Sequence, residues 1–244
     1  MMTAIMESTN NMDLGLLKRI IRMDKEQLFD FLEKELSRVY KEIDTNGTER
    51  KFMLCERQLT ILLVAHLDTV FESYSYGTSY IKDDWWSVYD YHANDISMKE
   101  IYHDRVEGVM WSPEGLGADD RVGVFMILSL VRRGLRPYIL FTTDEESGSA
   151  SGYEFAALYQ NHFKDYGIKY LMELDRSGYN DCVFYSCDNP LFVEFIESYG
   201  FEEDSGSFTD ISAICPILGV AGVNLSVGYY NEHSKTEMID LFTM

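Results

Sequence analysis

Residues 61–68, ILLVAHLD, constrain this chain more than any other stretch. A run of aliphatic residues reads as a buried strand, and it ends without a turn in a histidine and an aspartate two positions apart. Burying two such groups is costly unless something there pairs them. The same event recurs down the chain: YILFTTDEES ends in Asp144, Glu145 and Glu146, YLMELDRSG in Asp175, and VNLSVGYYNEHS near His233. In GLGADDRVG, Asp119 and Asp120 come just before an apolar, helix-like run. Ligand sites of open α/β sheets lie beyond the carboxyl ends of the strands, so all these groups can meet in one cleft.

The rest of the pattern supports such a sheet. Helices are expected over 14–22, over a second stretch capped by Asp24 with Gln27 completing a capping box, and over 121–133, 153–165 and 191–199. The stripe Leu28, Leu32, Leu36, Val39 and Ile43 reads as core packing of the second helix. Strands are expected over 51–57, 60–65, 137–143, 169–175, 182–186 and 221–227. This alternation predicts an α/β fold, three layers α/β/α with a mixed, mainly parallel central sheet. No repeat or Pro/Ser-rich linker divides residues 1–244, which read as a single catalytic domain. Residues 71–113 are aromatic-rich and lack a steady period, so they read as an irregular insertion with a hairpin near 100–111. Trp85 and Trp86 in it suit a cleft wall, an interface patch or a packed flap equally.

Composition narrows the function classes. A net charge of -20 argues against nucleic acid and anionic membrane surfaces as partners. No run of about 18 apolar residues suggests a membrane span. The first residues lack a basic start followed by an apolar run, so no signal peptide is expected. The four cysteines form no CxxC pair and read as reduced, partly buried thiols of a cytoplasmic protein.

Carboxylates gathered at one sheet edge repel, and one of them must take up a proton unless cations intervene. His with Asp/Glu and no Cys suits zinc in an open, catalytic site. Hydrolytic sites commonly hold two metals about 3.5–4 Å apart, bridged by a carboxylate.

HLDTV, GADDRVG, TDEESG, LDR and YYNEHS resemble, in order, the motifs of the co-catalytic zinc exopeptidases: aminopeptidases, tripeptidase-like enzymes and related carboxypeptidases and deacylases. The resemblance implies that His66 and Asp175 bind one metal, that Glu146 and His233 bind the other, and that Asp119 bridges them. It implies Glu145 as general base, Asp68 as a catalytic neighbour positioning the His66 side, and a cis peptide between Asp119 and Asp120. Gly115 and Gly117 would let the backbone approach the metals. The implied function is a dinuclear zinc aminopeptidase cutting short peptides with an activated water. The alternatives are an amidohydrolase or deacylase of N-acyl amino acids, and a non-catalytic metal-dependent binding protein on the same fold. Zinc is the expected metal, with cobalt or manganese compatible, and a homo-oligomer is an open expectation. The stretch from Asp175 to His233 is too short to hold a lid or dimerisation domain besides its core elements. Asp210 suits a substrate amine or a helix cap, and Arg176 suits substrate or a nearby acid. Tyr229 and Tyr230 suit an oxyanion or packing under His233. The short segment after His233 is expected to make about two helical turns from Lys235.

Overall fold

A computed structural model describes residues 12–56, 59–71 and 99–244. In chain order the elements are helices α1 (Leu14–Arg22) and α2 (Lys25–Leu36), then strands β1 (Ile43–Asp44), β2 (Phe52–Cys55) and β3 (Ile61–His66). A hairpin follows, β4 (Tyr102–Asp104) and β5 (Val109–Trp111), then α3 (Arg121–Arg132), β6 (Tyr138–Thr142) and α4 (Ala150–Tyr159). The chain continues through β7 (Tyr170–Arg176), β8 (Asp181–Val183), α5 (Pro190–Glu197), β9 (Glu202–Glu203) and α6 (Asp210–Leu218). It closes with β10 (Ala221–Ser226), β11 (Tyr229–Tyr230) and β12 (Met238–Asp240).

Among the described residues the central sheet has eight strands in the order β1-β2-β6-β3-β7-β10-β8-β9. The inner strands β6, β3, β7 and β10 are mutually parallel, and antiparallel pairings enter on both sides of them. Strict alternation in the strands builds a layer on each face. In β2, β3 and β6, Met53, Cys55, Leu63, Ala65, Ile139 and Phe141 join a core with α1, α2 and α3. Their alternates Phe52, Leu54, Leu62, Val64, Tyr138 and Leu140 join a second core with α4 and α6. The architecture is therefore three-layered, α/β/α, around a mixed, mainly parallel sheet.

Local chemistry sets the helix starts. Asp13 accepts from Leu16 N at 2.9 Å, and Asp24 and Gln27 form the expected capping box. The α2 stripe stops at Leu36, because the chain turns there and Ile43 joins β1. The cysteines are all free and buried. No helix among the described residues is long and apolar enough to cross a membrane.

Two regions differ from expectation or escape it. The segment after His233 makes no helix; Met238, Ile239 and Asp240 pair with Trp111, Met110 and Val109 of β5. With β11 and β4 they form a second, four-stranded sheet, order β11-β12-β5-β4, whose β4–β5 pair is the expected hairpin. Most of the aromatic insertion, Trp85 and Trp86 included, lies outside the described residues.

Candidate metal centre

The parallel strands deliver the polar groups to one edge. His66 is the last residue of β3, Asp175 is next to last in β7, and Glu145 and Glu146 follow β6 in a short 3-10 turn. Asp119 precedes α3, and His233 lies in the loop after β11. The peptide between Asp119 and Asp120 is cis. His233 has φ 58°, an uncommon conformation for a non-glycine residue and one that concentrates at functional sites.

The Asp119 carboxylate stands at the centre. Its Oδ1 is 2.9 Å from His66 Nε2, and the same nitrogen is 3.5 Å from Asp175 Oδ1. Its Oδ2 is 3.2 Å from His233 Nε2, which lies 3.0 Å from Glu146 Oε2. One carboxylate thus shares each of its oxygens with a different histidine, and each of the two Nε2 atoms faces one further acid. On the other side of the His66 ring, Nδ1 is 2.9 Å from the carbonyl oxygen of Asp68. A carbonyl only accepts, so Nδ1 carries a proton, and Nε2 is the ring atom that faces the carboxylates.

The donor set fits a divalent cation. Bonds of about 2.0–2.1 Å in a tetrahedral site put neighbouring ligand atoms about 3.3 Å apart. The four histidine–carboxylate separations fall around that value, from 2.9 to 3.5 Å. His66, Asp119 and Glu146 each offer a ligand atom within 4.8 Å of the others. Glu146 Oε1 is buried with no hydrogen-bond partner.

Electrostatics point the same way. Burial, reinforced by the charge of Asp119, pushes Asp175 well above the usual carboxylate range. Burial, then the charges of Asp210, Asp119 and Glu146, pushes Glu145 up to about 7. His66 is raised although burial opposes it, because Asp175 and Asp119 outweigh the loss of water. The hydrogen bond to Asp119 lifts His233 to about 9. Without cations, the cluster draws in protons to neutralise itself.

Supporting contacts fix the donors. Asp68 accepts from the backbone amides of Glu145 at 3.2 Å and Glu146 at 3.1 Å. It therefore ties the His66 strand to the glutamate turn, a wider role than positioning His66 alone. Asp120 caps α3 through Gly123 N at 2.9 Å and accepts from His66 N at 3.3 Å. Asp175 is held by three residues, of which only Tyr229 lies in a motif. Asn224 of β10 brackets its backbone at 3.0 and 2.8 Å, while the hydroxyls of Thr209 and Tyr229 each donate to its carboxylate at 3.2 Å. Tyr229 is thus engaged with a site acid rather than free for an oxyanion. Asp210 neither meets the cleft nor caps the helix: Thr209 is the cap, and Asp210 is fully buried, accepting from the Thr142 hydroxyl. Arg176 pairs with Asp181 at 2.5 Å and Asp204 at 2.6 Å. Gly115 has φ +95° and lies against the Phe71 ring, where a Cβ would clash.

A cleft of about 450 Å³ opens beside the centre, lined among others by Glu145, Asp181, Tyr185, Phe208, Tyr230 and Glu232.

No protein-family model matches the sequence, and no curated protein matches it. Solved structures do. The aminopeptidase PepT of Bacillus cereus ATCC 10987 aligns with a TM-score of 0.63 at 14% identity, over 93% of this chain and 93% of that one. A tripeptidase of Staphylococcus aureus subsp. aureus Mu50 aligns with a TM-score of 0.61 at 12% identity, over 94% and 93%. The chain shares the three-layer fold of these solved peptidases. That fold also holds a Thermotoga maritima protein named endoglucanase, with a TM-score of 0.56 at 14% identity over 93% and 92%. A shared fold therefore leaves the chemistry to be argued from the site.

Proposed function

We propose that this chain is a dinuclear zinc peptidase, an aminopeptidase acting on short peptides. The observation that carries the reading is the Asp119 carboxylate, whose two oxygens each face a different histidine. His66 and Asp175 would hold one ion and Glu146 and His233 the other, with Asp119 shared between them. When bound, zinc supplies Lewis-acid chemistry: polarisation of a carbonyl and a lowered pKa for water.

Glu145 does the proton work. Its backbone is pinned through Asp68, and its carboxyl lines the cleft, half-buried, outside the histidine–carboxylate contacts. Burial raises it, and cations bound among its acidic neighbours would lower it again toward the ionised form. It then takes a proton from the attacking water and delivers it to the leaving amine.

The cleft favours a free amino terminus over an N-acyl amino acid. Asp181 and Glu232 line it, and the guanidinium of Arg176, also at its wall, is engaged by Asp181 and Asp204. A substrate carboxylate meets acids there, whereas an ammonium group is attracted.

Metal analysis of the purified protein, paired with hydrolysis of aminoacyl anilides, di- and tripeptides and N-acyl amino acids, tests this reading. Two zinc ions per chain and cleavage of the free-amine substrates are expected. Cleavage of N-acyl substrates alone would make it a deacylase. Two bound ions with no turnover of either class would make it a metal-dependent binding protein.

A further inference from the structure

Glu237 belongs to none of the motifs above, yet its side chain is fully buried. It sits between the His233 loop and β12, in the segment that pairs with β5. Its carboxylate reaches the loop that carries Asp119. Oε1 accepts from Asp119 N at 3.2 Å, Oε2 accepts from Gly117 N, and the Ala118 amide also donates to the carboxylate. Buried amides need acceptors, and this loop finds them in one side chain instead of in a neighbouring strand.

The same loop is gripped from its carbonyl side. Lys99, itself buried, donates from Nζ to Leu116 O at 2.9 Å and to Phe71 O at 2.8 Å. Gly117 has φ +69°, and a Cβ there would stand 3.1 Å from Thr69 Oγ1 and 3.3 Å from Lys99 Nζ. The turn that aims these amides at Glu237 is thus both left-handed and crowded, and it suits glycine. Glu237 also reaches back toward the other histidine: its own amide donates to Ser234 O at 3.0 Å, next to His233. One residue therefore joins the backbone of the central carboxylate to the loop of its second histidine partner.

We infer that Glu237 is the positioning residue of the shared carboxylate, holding the Asp119 backbone so that the two oxygens divide between His66 and His233. The inference rests on the two-metal reading above. A group that only filled space here could be apolar. The demand for a carboxylate comes from the row of amides it must accept, and that row ends at the residue the site is built around. Loss of such support around a metal ligand typically weakens metal binding about 10–100-fold.

The test compares the wild-type chain with Glu237→Gln and Glu237→Asp. Zinc affinity is read by competition with a chromophoric chelator. The cobalt-loaded forms are read by visible absorption and by magnetic coupling between the two ions. Zinc-free folding is checked by circular dichroism. Glu237→Gln keeps the volume but sets an NH2 against an amide. It is expected to stay folded, to bind zinc at least about 10-fold more weakly, to lose or alter the cobalt coupling, and to lower kcat for a short peptide with KM held. Glu237→Asp keeps both acceptors and the charge but is one methylene too short, and it is expected to fall between the two. If Glu237→Gln does not fold, the aspartate variant carries the test by the same readouts. Wild-type zinc affinity and an unchanged cobalt spectrum in a folded variant would overturn the inference while leaving the two-metal reading intact. A wild-type chain that takes up no ion pair would overturn that reading, and this inference with it.

Discussion

Two residues joined by a single hydrogen bond, Glu145 and Asp68, are expected to fail in different ways when altered. Glu145 stands outside the convergent donors, so Glu145→Gln should leave the zinc content unchanged. It should cut peptide turnover about 10²–10⁴-fold, the usual worth of a general base. Asp68 spends both carboxylate oxygens on the amides of Glu145 and Glu146. Asp68→Asn leaves one amide facing an NH2, so zinc affinity itself should fall, by about 10–100-fold, and turnover with it. Metal content and single-turnover hydrolysis on both variants check the contrast. It fails if Glu145→Gln loses zinc or if Asp68→Asn keeps wild-type affinity. What made these residues readable beforehand was position: acids and histidines are out of place after buried strands. Asn224 and Thr209 carried no such mark, and Tyr229, though inside a motif, gave no sign of its partner. They are ordinary polar residues of strand and helix cap, and only the fold reveals that Asp175 is what they hold.

At the scale of elements, the donors depend on how closely α3 approaches β7. Gly123 permits that approach: a Cβ there would lie 2.1 Å from the Leu174 carbonyl oxygen, a backbone atom that no rotamer change can move. Gly123→Ala should therefore cost at least about 1–3 kcal/mol, as forced overpacking does. It should also weaken zinc binding, because the helix that must shift begins right after Asp119 and Asp120. Urea unfolding of the zinc-free protein with and without the substitution measures the first effect, and chelator competition the second. No measurable loss of stability would mean that the helix has room to move. The inner strands and this helix were legible because each is a single apolar run bounded by turn residues. The C-terminal strand was not. Locally, SKTEMIDLF suits a helix, and β12 is a strand only because β5 and β11 offer edges for it to pair with. Such tertiary pairing overrides local propensity and leaves no trace in the segment's own period.

For the molecule as a whole, the two-metal reading implies that cation binding at the sheet edge would be part of its stability. The chain carries a net charge of -20, and the centre adds like charges under burial. Ions that bind the folded state alone stabilise it by about 2.7 kcal/mol each when free ion is 100-fold above Kd. In a domain of this size that corresponds to a rise of about 5–10 °C in melting temperature per ion. Zinc should therefore raise the melting temperature of chelator-treated protein, and the source of the rise can be traced. Diffuse attraction to exposed acids is non-specific: magnesium at equal concentration would reproduce it, and Asp119→Asn or His66→Ala would leave it in place. Binding at the shared carboxylate is directional and needs nitrogen donors, which magnesium does not favour. The expected result is a zinc-induced shift that magnesium does not match and that shrinks in both variants. A shift of equal size with magnesium, surviving both substitutions, would place the stabilising cations on the surface and leave the edge acids to be neutralised by protons alone.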